Sequence, residues 1–186
     1  MKKNKELEIE LLNFENYKLS KIEELIQDED FDRVEKIKQL SEREKYKLID
    51  ETDCIEVLEI LVFDNNWQIA NSCFFNKLAK EFSPELLEII FSKKGMSDRL
   101  AEHQNTPTKI LKSILEKTKS YTERAVIASN RNCSIDMIKK FSIDEEATVR
   151  YWTTRNKKIT TEILYEMLEK ETEEFVIKSI ISHKDF

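Results

Sequence analysis

Between residue 78 and residue 186 one pattern keeps returning, and it limits the chain more than anything else in it. A short apolar stretch ends on a polar residue and a tight connection. A Ser, Thr or Pro follows, and then a second apolar stretch. Copies fall at 78–87, 100–111, 126–138 and 152–164, with a half-length copy at 174–183. Pro84, Pro107, Ser134 and Thr160 mark equivalent points, 23, 27 and 26 residues apart. Recurrence at this period is the signature of a repeat array.

The second stretch of each copy has apolar residues at i, i+1, i+4 and i+5, as in Ile110, Leu111, Ile114 and Leu115, or Ile163, Leu164, Met167 and Leu168. That spacing predicts a helix with one broad buried face. Ser83-Pro84 and Thr106-Pro107 pair a capping hydroxyl with a proline at the first helical position, where its missing N–H costs nothing. Neither helix of a copy can bury its face alone, whereas stacked copies can. The expected fold is therefore all-α, a short right-handed α-solenoid. Composition agrees: one Gly and two Pro among 186 residues are too few for the tight turns of a sheet protein.

Upstream, residues 5–27 read as an amphipathic helix through Leu7, Leu11, Phe14 and Ile22, residues 32–48 as a second, and residues 55–62 as a short, nearly all-apolar third. Thr52 or Asp53 is the expected cap of that third helix. The predicted organisation is an N-terminal helical region, 1–66, capping an array over 67–186. Trp67 is expected in the core or at the junction between them.

The repeats resemble the leucine-rich repeat variant (LRV) family, whose arrays are HEAT-like. The residues that carry the resemblance are Val149-Arg150 and Asn156 in one unit, Glu123-Arg124, Ile127-Ala128 and Asn130 in another, and Ala101, His103, Thr106 and Pro107 in a third. Ala79, Ser83 and Pro84 match a shortened first unit, and Thr154 departs by replacing the family's Ala. The resemblance covers about residues 70–186 and implies alternating α- and second, sometimes 3₁₀, helices. Some members carry an iron–sulfur domain on clustered cysteines. This chain has no such cluster, so no cofactor is expected.

His103, Asn130, Asn156 and His183 occupy one repeat position. Two asparagines at that position argue against catalytic or metal-binding histidines and for polar groups closing a helix end. Cys54, Cys73 and Cys133 are widely spaced and odd in number. They read as reduced, structural thiols of a cytoplasmic protein, with Cys54 and Cys73 inside apolar helices. No stretch approaches 18 apolar residues, so no membrane span is expected, and the N-terminus lacks the apolar region of a signal peptide. No glycine-rich phosphate loop or nucleophile–base set can be assembled, and Gly95 reads as a helix end. No enzyme, metal or small-molecule substrate is expected.

Charge is uneven. Residues 1–90 carry net −9, residues 91–160 net +7 and residues 161–186 net −4. Within the basic middle, Arg124, Arg131, Lys139, Lys140, Arg150, Tyr151, Arg155, Lys157 and Lys158 form the candidate interaction surface. The expected function is a non-catalytic protein–protein interaction module. The alternative is nucleic-acid backbone binding by 91–160, with an aromatic such as Trp152 stacking a base. Against that alternative, Trp152 reads as the core residue of its helix, matching Val126.

Overall fold

A computed structural model describes residues 30–184 and Phe186. The predicted helix over 5–27 lies outside the described residues. Among those described, all regular elements are helical, and they group into two units, up to Ala79 and from Lys80 onward.

In the first unit, α1 spans Asp30–Gln39, α2 Glu42–Glu51, α3 Ile55–Leu61 and α4 Trp67–Ser72. A 3₁₀ turn, Cys73–Phe75, follows. The single helix expected over 32–48 is two helices. Ser41 and Glu44 form a capping box, in which Glu44 accepts from the Ser41 amide at 2.8 Å and the Ser41 hydroxyl from the Glu44 amide at 3.4 Å. Reciprocal capping makes Ser41 a better start than a mid-helix residue. The short helix α3 forms as expected and buries Val57, Leu58 and Leu61. Its N-cap residue is Cys54, whose amide donates to the Thr52 hydroxyl at 3.1 Å. Cys54 is therefore half-buried at a helix entrance, not packed inside a helix. Trp67, at the first position of α4, is 57% exposed and not a core residue. Its exposure follows from register, because Ile69 and Ala70 take the inward positions of that single-turn helix.

The second unit contains α5 (Pro84–Lys94), α6 (Ser97–Glu102), α7 (Thr108–Lys117), α8 (Tyr121–Ser129), α9 (Ile135–Phe141), α10 (Ala147–Thr154), α11 (Thr161–Leu168) and α12 (Glu174–Ile181). Helices α6, α8, α10 and α12 stack each on the next, and α7, α9 and α11 pack beside them. The i, i+1, i+4 pattern is the buried face in each second helix: Leu86, Leu87, Ile90; Ile110, Leu111, Ile114; Met137, Ile138, Phe141; Ile163, Leu164, Met167. The i+5 residues Leu115 and Leu168 are half-buried. This is a stacked helical-repeat architecture.

Ser83, Ser134 and Thr160 cap their helices through the side chain, and Pro84 takes the first turn of α5. Thr106 does not cap. Its hydroxyl is buried and donates to the Leu100 carbonyl at 2.6 Å, which leaves Pro107 as the N-cap residue of α7. Gly95 ends α5 at φ 75°, and the next residue, Met96, is also left-handed at φ 43°. The Met96 amide donates to the Lys94 carbonyl at 3.1 Å. Such a γ-turn with positive φ suits Gly, and no neighbouring atom would obstruct a Cβ there.

Candidate interaction surface

The repeat position shared by the histidines and asparagines is a turn with fixed chemistry. Backbone amides close it at Ala79→Asn76, Thr106→His103, Cys133→Asn130, Ile159→Asn156 and Phe186→His183, each at 3.0 or 3.1 Å. Polar side chains at this position also accept from the amide two residues on: Asn76 from Leu78 (2.8 Å), His103 Nδ1 from Asn105 (3.2 Å), Asn130 from Asn132 (2.9 Å) and Asn156 from Lys158 (2.9 Å). Each asparagine then uses its NH₂ on the unit before it. Asn130 donates to the Ala101 and His103 carbonyls at 2.9 and 3.0 Å. Asn156 donates to Ala128 and Asn130 at 2.6 and 3.0 Å. In the first unit, Asn76 donates to Ile49 at 2.6 Å. The buried amides thus run as a ladder that supplies donors to carbonyls at helix ends, which would otherwise lack them.

A second row lies beside it. Asn105 donates to the Lys80 and Phe82 carbonyls, and Asn132 to those of Gln104 and Thr106, at 3.0 to 3.1 Å. At His103 an imidazole stands in the first row where the neighbouring units have an amide. His103 instead packs its ring face to face with Phe82 at 6.1 Å. Asn76 and the second row were missed in the sequence reading, although Asn105 and Asn132 are 27 residues apart.

The candidate cations divide into two groups. Arg124 grips Asp144 with two nitrogens at 2.8 and 2.9 Å. Arg150 grips Glu171 in the same way at 2.8 Å and also donates to the Asp144 and Glu145 carbonyls. Each acid accepts the amide two residues ahead, at Glu146 and Glu173. The pair is thus built into the entrance of the next first-layer helix. Lys45 and Asp64 repeat this arrangement in the first unit at 2.8 Å. Hydrogen bonding to the partner carboxylates raises both arginine pKa values, and bonding to Arg150 holds the Glu171 carboxyl below its ordinary range. Arg131 donates to the Gln104 carbonyl at 2.7 Å and to the Asn105 side chain, and Lys158 to the Cys133 carbonyl at 3.2 Å. These four cations join successive units.

Lys139 and Lys140 on α9, Arg155 at the end of α10, and Lys157 beyond it are exposed. They come from both helix layers. Tyr151 does meet neighbours. Its ring lies 5.6 Å from Trp152, edge-on, and 5.7 Å from Phe175 of α12, with the Arg155 guanidinium 5.8 Å from the ring centre. Trp152 is 42% exposed and Phe175 46%. Trp152 is therefore not the core residue of its helix, where Val149, Thr153 and Thr154 point inward. Val126, at the matching position of α8, is only half-buried as well.

Cys73 and Cys133 are fully buried, and burial pushes both thiols up to about 12. Among the described residues there is no cluster of three or more His, Cys, Asp or Glu placed to hold a metal, and no helix long and apolar enough to cross a membrane. No protein-family model matches the sequence, and comparison with curated proteins and with solved structures returns no match.

Proposed function

We propose that the chain is a non-catalytic helical-repeat protein of LRV/HEAT-like type. Its first-layer helices bind a protein partner in the cytoplasm. The finer architecture that goes with this reading is a right-handed stack capped by the N-terminal helices.

The supporting observation is the Tyr151–Trp152–Phe175 cluster with Arg155 beside it. Exposed aromatics and arginine dominate protein-binding hot spots, and three aromatic rings gathered on adjacent helices make an anchor. The buried thiols suit a reducing compartment. The nucleic-acid alternative keeps only Arg155, Lys139, Lys140 and Lys157 as exposed candidate cations outside the inter-unit bonds.

The test compares wild-type chain with the Trp152→Ala/Phe175→Ala variant as bait in native extract, with helicity checked by circular dichroism. A protein held by wild type is then titrated directly. The reading expects binding at least about 30-fold weaker in the variant, the size of a hot-spot loss. Equal affinity for both baits refutes it. Steeply salt-dependent retention of generic DNA or RNA, lost on reversing Arg155 and Lys157, would favour the alternative.

A further inference from the structure

Helices α10 and α12 run in the same direction, since Tyr151 meets Phe175 and, further along both helices, the Thr154 and Ser179 hydroxyls bond at 2.6 Å. Their like ends therefore lie together. Glu145 and Glu146 precede α10, and Glu173 and Glu174 open α12; all four are exposed. Beyond the other end of α10 come Arg155, Lys157 and Lys158, also exposed, and α12 leaves through Ser182 and His183. Between the acidic and the basic end stand the rings of Tyr151, Trp152 and Phe175.

The two ends differ in how their charges are committed. Glu145 reaches Arg124 at 3.4 Å, and Glu174 reaches Lys178 at 2.5 Å. Arg155 and Lys157 form no ion pair among the described residues, and the Arg155 guanidinium rests near the Tyr151 ring instead. The neighbouring turn widens the basic end. Asn156 donates to the Asn130 carbonyl and Lys158 to that of Cys133, which sets residues 155–158 against the turn that carries exposed Arg131. Two exposed acids lie on this side, Asp136 and Glu162, in the first turns of the second-layer helices α9 and α11. Glu162 is hydrogen-bonded to the Thr160 side chain. Cations remain in excess there.

We propose that the occupant of this face is an acidic segment of a partner protein. It lies extended, with an apolar or aromatic residue against Trp152 and Phe175 and carboxylates against Arg155 and Lys157. The proposal rests on the reading of the aromatic cluster as a protein-binding surface and names the chemistry of what it binds. Phe175 lies 5.7 Å from Tyr151, and Arg155 lies 5.8 Å from the same ring. The step from apolar anchor to first carboxylate is thus about three or four residues of extended chain, at about 3.4 Å each. A guanidinium accepts a carboxylate through paired N–H bonds, so Arg155 fixes the register. A nucleic acid is charged at every nucleotide, and a backbone laid from Arg155 along the helices would meet Glu173 and Glu174. A peptide can be acidic at one end only, and complementarity of that kind selects the partner.

The experiment starts from random peptides of about twelve residues, long enough to cross the face when extended. They are displayed on phage, selected on the immobilised full chain and counter-selected on Trp152→Ala/Phe175→Ala. Recovered peptides are expected to carry an apolar or aromatic residue with a cluster of acids about three or four positions away. The consensus peptide is then titrated by fluorescence anisotropy. Replacing its acids with amides, or using Arg155→Glu/Lys157→Glu, should weaken binding at least about 10-fold, and Trp152→Ala/Phe175→Ala about 30-fold. Lys139→Glu/Lys140→Glu makes the same change of net charge on α9 and should leave affinity within about twofold, the size of a distant, screened effect. Circular dichroism checks the fold of each variant. Selection without a surplus of acids, a consensus peptide indifferent to losing them, or an equal loss from the α9 reversal overturns the proposal. So does an oligothymidylate of matching length that binds as tightly as the peptide. The broader reading fails separately, on the bait experiment: it stands if a partner is lost with Trp152 and Phe175 even though no acidic peptide binds.

Discussion

Replacing Asn156 tests whether the asparagine ladder holds the units together. Its side chain is fully buried and makes three hydrogen bonds, two donated to the Ala128 and Asn130 carbonyls and one accepted from the Lys158 amide. Asn156→Ala removes all three at once. A net hydrogen bond contributes about 1 kcal/mol, and a buried group left unmet costs about 1–3 kcal/mol. A small side chain also leaves room for water, which recovers part of the loss. The expected destabilisation is about 3 kcal/mol, or about 6–12 °C in Tm for a chain of this length. Asn156→Asp separates donation from acceptance. An ionised carboxylate still accepts from Lys158 but confronts two carbonyl oxygens with negative charge. At pH 7 it should be worse than the alanine variant, and it should recover as pH falls towards the ordinary carboxyl range, because burial against two carbonyls raises its folded pKa and the protonated form can donate once. Thermal and urea unfolding of the three proteins between pH 4 and pH 7 reads this directly. A loss under about 1 kcal/mol for alanine, or an aspartate variant milder than alanine at pH 7, would refute the ladder as a source of stability.

Two further outcomes concern titrating groups. The Arg150 guanidinium holds the Glu171 carboxyl below the reference 4.5, so the pair's stabilisation is complete above about pH 4.5 and fades as pH falls through the lowered value. Wild type should outlast Glu171→Gln at pH 7 by about 2 kcal/mol, with the gap narrowing as pH falls below 4.5, and a gap that is constant with pH counts against the linkage. Cys73 and Cys133, raised to about 12 by burial, should resist a thiol reagent at pH 8 until the chain unfolds, whereas half-buried Cys54 reacts first. Three equal rates would overturn that order.

The second helices were legible because their signal is apolar and dense: Ile110, Leu111 and Ile114 leave one way to face inward. The boundary at Ser41 was harder to read, since a charged segment with sparse apolar residues gives little periodicity and the capping box is a two-residue cue. The first copy was misaligned for a physical reason. A 3₁₀ stretch, Lys77–Glu81, lies between its turn and the next helix. The turn residue precedes the cap by seven positions at Asn76 and Ser83 but by four at Asn130 and Ser134. Aligning on Pro84 and Pro107 therefore gives a spacing of 23, while the turn residues 76, 103, 130, 156 and 183 keep a period of 27 or 26. The charged site was misread differently. Net charge along the chain says nothing of pairing, and the acids that neutralise Arg124 and Arg150 sit 20 and 21 residues downstream, in the next unit.

The division of labour among polar residues bears on function. Among the described residues no buried side-chain nitrogen or oxygen lacks a hydrogen-bond partner. The interior is satisfied by the two amide rows, the capping hydroxyls and the Arg–acid pairs, and none of these uses the outward positions of the first-layer helices. Those positions hold Asp98 and Glu102 on α6 and Tyr121, Thr122 and Val126 on α8. On α10 and α12 the exposed residues include Trp152 and Phe175, which leave apolar surface in water and gain little from the core. Stability does not account for that choice. Under the proposed function a surface that closes on another protein would, since burial there returns the hydrophobic free energy that the isolated chain forgoes.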